Sequence, residues 1–189
     1  NWHAEFSWTW KQTLFLTAAY DIDRNYVRTL PYLDSNKVTV TRIPTNIQGA
    51  RSWNFVVSYQ KDLCKWFTTN TSVTLYQNLF TGDAKGFSLN DPGFGSFDLV
   101  SSNIFRLSDR LSLEADAENE SRRQFVGSIY PSYTTLDLAL KLQLLNKKAS
   151  LTLNGKNVLY DVRDSGGDHY LNLFQTGHTN TYAARVVIA

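Results

Sequence analysis

The chain has 189 residues, 42% hydrophobic and 14% aromatic, with 19 Lys and Arg against 17 Asp and Glu for a formal charge of only +2. That near balance, without a basic block, excludes an electrostatic nucleic-acid footprint. No stretch reaches the roughly 18 consecutive apolar residues that a membrane helix needs, so helical spanning is excluded, but a barrel whose alternate residues alone meet lipid is not.

Taken in chain order, alternating runs predict strands over Ala4–Trp10, Leu14–Asp21, Ala50–Gln60, Trp66–Phe80, Phe97–Leu107, Leu111–Glu120, Tyr133–Leu145, Ala149–Tyr160 and Asn180–Ala189. Most approach the roughly 9–11 residues of a tilted membrane-crossing strand. A tenth strand is a candidate in Val38–Arg42, whose alternation ends at Pro44. The links are short at Lys11–Thr13, Lys61–Lys65, Ser108–Arg110 and Lys147-Lys148. They are long, and rich in Gly, Asp, Asn, Ser or Pro, at Ile22–Gly49, Thr81–Ser96, Ser121–Ser132 and Asp161–Thr179. Tight turns alternating with long loops are the habit of an outer-membrane barrel, with its short turns on the periplasmic side.

The strongest single run is Leu136 to Leu144, where every second residue is leucine and Asp137, Ala139, Lys141 and Gln143 lie between. Side chains alternate faces along a strand, so one stripe is apolar and the other is not. Hairpin parity agrees. Across Ser108–Arg110, Leu107 pairs with Leu111, Phe105 with Leu113 and Asn103 with Ala115, which leaves Asp98, Arg106, Glu114, Asp116, Glu118 and Glu120 on the other face. Such a row costs up to a few kcal/mol per charge against lipid, so it must look into water.

The fold expected is therefore all-β, an antiparallel transmembrane β-barrel of which about nine to ten strands are visible. Trp10, Tyr59, Trp66, Phe67 and Phe105 beside short turns, and Tyr20, Phe80, Phe97, Tyr133, Tyr160 and Tyr182 near long loops, predict two aromatic girdles. Aromatic enrichment of strand ends in general is the alternative.

The lumen-facing polar rows comprise Asp98, Arg106, Glu114, Asp116, Glu118, Asp137, Lys141 and Lys156. They read either as interstrand salt bridges filling a wet interior, the favoured version, or as a filter for a solute. Asp23, Arg24, Tyr26, Arg28 and Tyr32, with Asp21, mix aromatics and charges in a long loop and are candidate outer-loop ligand contacts.

Other motifs carry less. Asp161–Asp168 with His169 fits no calcium loop and reads as a solvated loop. His3, His169 and His178 have no Gly-x-Ser-x-Gly elbow to serve, so no catalytic residue is assigned. Gly93-Phe94-Gly95 is a turn rather than a phosphate cradle. Cys64, the single cysteine, reads as an inert structural residue. Neither a metal site nor a cofactor is expected.

At Leu151–Asp161 (Leu-Thr-Leu-Asn-Gly-Lys-Asn-Val-Leu-Tyr-Asp) the chain resembles the late-barrel segment of TonB-dependent receptors. Thr135–Leu138 and the turn Asp62–Trp66 are similar to outer-membrane barrels of that superfamily. The resemblance implies that residues 1–189 are the C-terminal portion of a larger barrel, of about 22 strands, whose N-terminal plug and earlier strands lie outside this sequence. It also implies the bacterial cell outer membrane as location and solute uptake without covalent chemistry. The partners implied are outer-membrane lipid, the inner-membrane TonB system through the N-terminal part, and a surface lipoprotein or other outer-membrane protein. Two features depart from the pattern: the last strand ends without a terminal aromatic, and an odd count of about nine cannot close a bacterial single-chain barrel. The chain opens on Asn1 with no methionine and no leader, and reads as a mature portion or fragment. The rivals are an outer-membrane scaffold or partner-binding barrel without transport, and a soluble all-β binding domain.

Overall fold

The computed structural model describes the backbone of residues 1–33, 40–84, 87–88, 93, 95–125, 128–159, 163–170, 173–179 and 183–188, and the side chains of 1–30, 41–82, 93, 95–123 and 130–159. Nine strands form one sheet: β1 (Trp2–Trp10), β2 (Leu14–Leu33), β3 (Val40–Cys64), β4 (Phe67–Thr81), β5 (Ser96–Arg106), β6 (Leu111–Glu120), β7 (Tyr133–Leu144), β8 (Ala149–Lys156) and β9 (Ala183–Ile188). Each pairs antiparallel with the next in sequence, an up-and-down meander without a crossover. Among the described residues β1 and β9 do not pair with each other, so the sheet is open.

Register keeps the two stripes apart across the whole sheet. One rung runs Phe67, Phe105, Leu113, Leu140, Leu153 and Val186 from β4 to β9. The next runs Thr68, Ile104, Glu114, Ala139, Asn154 and Arg185, on the opposite face. Slipping β6 or β7 by one residue would put carboxylates among the leucines, which is what fixes their pairing.

Among the described residues the apolar face has no protein cover. Phe6 is 64% exposed, Leu153 52%, Trp10 48% and Leu140 39%. Burying each of these large side chains yields roughly 1.5–3 kcal/mol, and here the bilayer has to supply the cover. No helix among the described residues is long and apolar enough to cross a membrane; the crossing elements are strands.

The protein's own core sits elsewhere. Leu30 and Ile47, at 2% and 0% exposure, are its largest fully buried side chains among those described, and both lie in the hairpin of β2 and β3. These strands have 20 and 25 residues, about twice what a bilayer requires. Here the sequence reading is corrected: within Ile22–Gly49, residues 22–33 and 40–49 are not loop but a continued ladder from Ile22↔Arg51 to Leu33↔Val40, and residues 34–39 lie outside the described residues. Val40–Arg42 extends β3 rather than forming a tenth strand, and Val38 and Thr39 lie outside the described residues.

The three other expected loops also carry β-structure. Arg123–Phe125, Ser128–Tyr130, Arg163–Tyr170 and Leu173–Thr179 form a separate four-stranded sheet, and Asp83–Ala84 pairs with Phe87–Ser88. β8 stops at Lys156, because Asn157 turns the chain at φ 48°.

Candidate functional site: the acidic wall of the polar face

β5, β6 and β7 each present every second side chain to the polar face, and their register stacks carboxylates there. Asp98 lies directly opposite Glu120, and Asp116 directly opposite Asp137. Glu118 falls between these two pairs on β6, and Glu114 lies below Asp116 toward the short turn. Like charges in direct cross-strand opposition destabilise a sheet, so this arrangement is held by other contacts.

Those contacts are mostly neutral donors. Tyr133 donates its hydroxyl to Glu118 Oε1 at 2.8 Å and Tyr76 donates to Asp98 Oδ1 at 3.2 Å. The Asn157 backbone N–H donates to Asp137 Oδ1 at 2.8 Å. Arg123, just past the end of β6, pairs with Glu120 and lies 5.1 Å from the ring of Tyr130. A cleft of about 420 Å³ opens over the lower part of this wall, lined by Glu114, Asp116, Asp137, Asn154 and Lys156 among others.

The register brings all eight residues singled out from the sequence as polar rows onto one face: Asp98, Arg106, Glu114, Asp116, Glu118, Asp137, Lys141 and Lys156. The favoured salt-bridge network among them does not form. Lys141 stands opposite Ser112 and Thr152, and neither it nor Lys156 makes an ion pair among the described residues. Arg106 donates to Thr68 Oγ1 at 2.9 Å and lies 4.0 Å from Asp62, away from the acids.

Sequence reasoning missed Tyr76, Tyr133, Arg123 and Asn157 as partners of the wall. Parity could have found the two tyrosines: Tyr76 shares a face with Thr68 and Thr74, and Tyr133 with Asp137 and Lys141. The girdle assignment is corrected accordingly, since Tyr133 and Phe80 belong to the polar face. Phe97, Phe105, Phe67 and Tyr20 keep the apolar face, with Phe67 and Phe105 stacked at 4.8 Å, Trp66 5.8 Å from Phe67, and Trp2 edge-on to Tyr20 at 6.1 Å. Tyr160 and Tyr182 lie outside the described residues.

The candidate ligand residues of the expected loop sit on the β2 ladder instead. Asp23 pairs with Ala50 and Arg24 with Gly49, and the Arg24 N–H donates to Asn1 Oδ1 at 3.3 Å. Asn25, at φ 58°, interrupts the pairing; beyond it Tyr26 stacks on Phe80 at 6.3 Å and accepts a hydrogen bond from Arg28 at 3.5 Å. Tyr32 pairs with Thr41, and its side chain lies outside the described residues. These residues therefore lie on strand β2 rather than in a loop.

His3 donates its Nδ1–H to Asp21 Oδ1 at 2.5 Å on the polar face, with Glu5 at 3.7 Å. No His, Cys, Asp and Glu cluster able to hold a metal occurs among the described residues. The side chains of Asp161–His169 lie outside them.

A nine-stranded meander with one bilayer-facing and one charged stripe defines the class: a membrane β-barrel. The match to an outer membrane protein beta-barrel family over residues 2–188 makes the assignment particular, and the chain belongs to that family, in the bacterial outer membrane. Comparison with curated proteins and with solved structures returned no match. Membership sets aside the soluble all-β alternative.

Proposed function

We propose that the chain is the C-terminal portion of the barrel of an outer-membrane receptor that takes up a solute in a TonB-dependent manner. One observation carries this reading: nine strands leave the sheet open at β1 and β9 among the described residues. Lipid offers no partner to the backbone groups of an edge strand, so a barrel must close, and further strands of a larger barrel would do so. The late-barrel resemblance at Leu151–Asp161 supports the transporter class, in which about 22 strands surround a plug. The acidic wall then borders the path of the solute and favours cationic or polar cargo over anions. The partners in this reading are outer-membrane lipid, the inner-membrane TonB system through the N-terminal part, and a surface lipoprotein or other outer-membrane protein. The chain's residues carry no catalytic role.

The test compares depletion of a complex medium by cells with and without the full-length protein, in energised and in uncoupled cells. We expect at least one solute to be depleted more slowly without the protein, and the difference to vanish on uncoupling. Identical depletion profiles would overturn transport and favour the scaffold alternative.

A further inference from the structure

On β5 to β7 the charge of the polar face is sorted by height, whereas Lys156 on β8 stands beside the acids and Asp62 on β3 stands at the level of the turns. The carboxylates of β5 to β7 begin at Glu114, two rungs above the end of the hairpin, and continue upward to Asp98 and Glu120. Below them, at the short turns, the sign reverses. A hollow of about 550 Å³ is lined by Lys65, Arg106, Arg110 and Lys147, with Asp109 the one acid, and by the side of Trp66. A second, of about 190 Å³, adjoins it through Gln143 and Lys147 and adds Lys141 and Lys148.

We propose that this hollow at the short-turn mouth of the barrel binds a phosphate group, through Lys65, Arg106, Arg110 and Lys147.

The cations come from three different turns, so the site exists only because the sheet assembles it. Arg110 is fixed in place by its carbonyl, which accepts from the Gln143 N–H at 2.7 Å and ties the turn after β5 to β7. Arg106 is oriented by its bond to Thr68. Lys65, Arg110, Lys141, Lys147 and Lys148 make no ion pair among the described residues, although the carboxylate row starts only two rungs away. Mutual repulsion of so many cations around one hollow is relieved by an anion. Gln143 Oε1 is enclosed there without a hydrogen-bond partner. An amide in that place offers its carbonyl to a protonated phosphate oxygen or, turned over, its NH2 to a bare one. Arginine is suited to phosphate because its planar fork donates two parallel hydrogen bonds, and lysine contributes a point charge.

The walls suggest where such a phosphate comes from. Trp66 belongs to the aromatic belt with Phe67 and Phe105, and Leu111 opens the apolar face of β6, so the hollow reaches the level where lipid headgroups lie. A phospholipid headgroup and a soluble phosphate share the recognised chemistry.

The full-length protein in detergent would be titrated separately with phosphatidic acid of short chain length and with inorganic phosphate, and binding read by native mass spectrometry and phosphorus NMR. Binding of either probe is expected, weakening with salt, and reduced roughly tenfold or more in the variant Arg106→Gln/Arg110→Gln/Lys147→Gln. Lys11→Gln, in a turn remote from the hollow, should bind as the parent does. Lipid binding that millimolar inorganic phosphate does not displace assigns the site to a headgroup; displacement at equal occupancy assigns it to free phosphate. Heat-modifiable gel mobility verifies that the triple variant is folded. If it is not, the single variant Arg110→Gln, at an exposed turn position, carries the same comparison. Absence of binding by both probes, or parental binding by the folded variant, overturns the proposal.

Discussion

The hairpins β5–β6 and β2–β3 are built for different solvents. β5 and β6 have 11 and 10 residues, about the length a bilayer requires, and β6 alternates over its whole length. None of their large side chains is fully buried, because lipid is meant to cover Leu113 and Phe105. β2 and β3 begin in the same way, with Leu14 opposite Tyr59 and Leu16 opposite Val57. Past Asn25 they run on and enclose Leu30 and Ile47, as a water-soluble hairpin must. In one region the membrane serves as the core; in the other the protein has to build its own.

The largest test of that contrast is Ile47→Ala. Truncating a fully buried side chain should cost about 2–5 kcal/mol, felt locally. Limited proteolysis of the folded protein should then cut within the extension while gel mobility still reports an intact barrel. If the barrel melts together with the extension, the two regions are one cooperative unit.

A paired substitution comes next. Leu138→Arg puts a charge on the lipid face, opposite Ala115 and Gly155 and two residues inward of the Phe67–Phe105 belt, and should destabilise by about 1–3 kcal/mol. Ala139→Arg is one residue away but faces Glu114 and Asn154, and should be near neutral. Urea unfolding from phospholipid vesicles measures both, and equal losses would dissolve the distinction between the faces.

A smaller effect sharpens the account of the apolar face, which is not wholly apolar. Thr69, Thr71, Ser101 and Asn103 lie on it and bond to one another, Thr69 to Asn103 at 2.8 Å and Thr71 to Ser101 at 2.7 Å. Because they satisfy each other, lipid contact is tolerable. Asn103→Ala should cost about 0.6 kcal/mol, and Thr69→Ala little more on top of it in the double variant. Additive losses would show that the four do not act as a network. The smallest effect is Lys11→Ala. Its ammonium lies 4.7 Å from the Trp10 ring, and its loss should cost ~0.5–1 kcal/mol in the same unfolding experiment. This lysine is already occupied by an aromatic face, unlike those around Gln143.

How much was legible follows the same division. β6 was expected at Leu111–Glu120 and forms over those residues; the strand of alternating leucines differs by one residue at its end. Within the bilayer each residue has only two environments, so the pattern of two solvents writes itself into the sequence at period two. Beyond the bilayer that constraint lapses. Ile22–Gly49 therefore read as a loop, although its residues 22–33 and 40–49 continue the ladder. The polar rows were legible for the same reason as the leucines, whereas their partners were not. Lys141 is near the acids in sequence pattern, but register sets Ser112 opposite it, and Arg123 takes Glu120 instead.

By itself the sequence determined which residues face lipid and which face water, because alternation is local and each strand carries its own. Only the tertiary structure decided which carboxylates stand opposite one another, that tyrosines rather than lysines hold them, and that cations from separate turns surround one hollow. Those facts depend on the register between strands and on the joining of residues far apart in the chain, and no single segment encodes either.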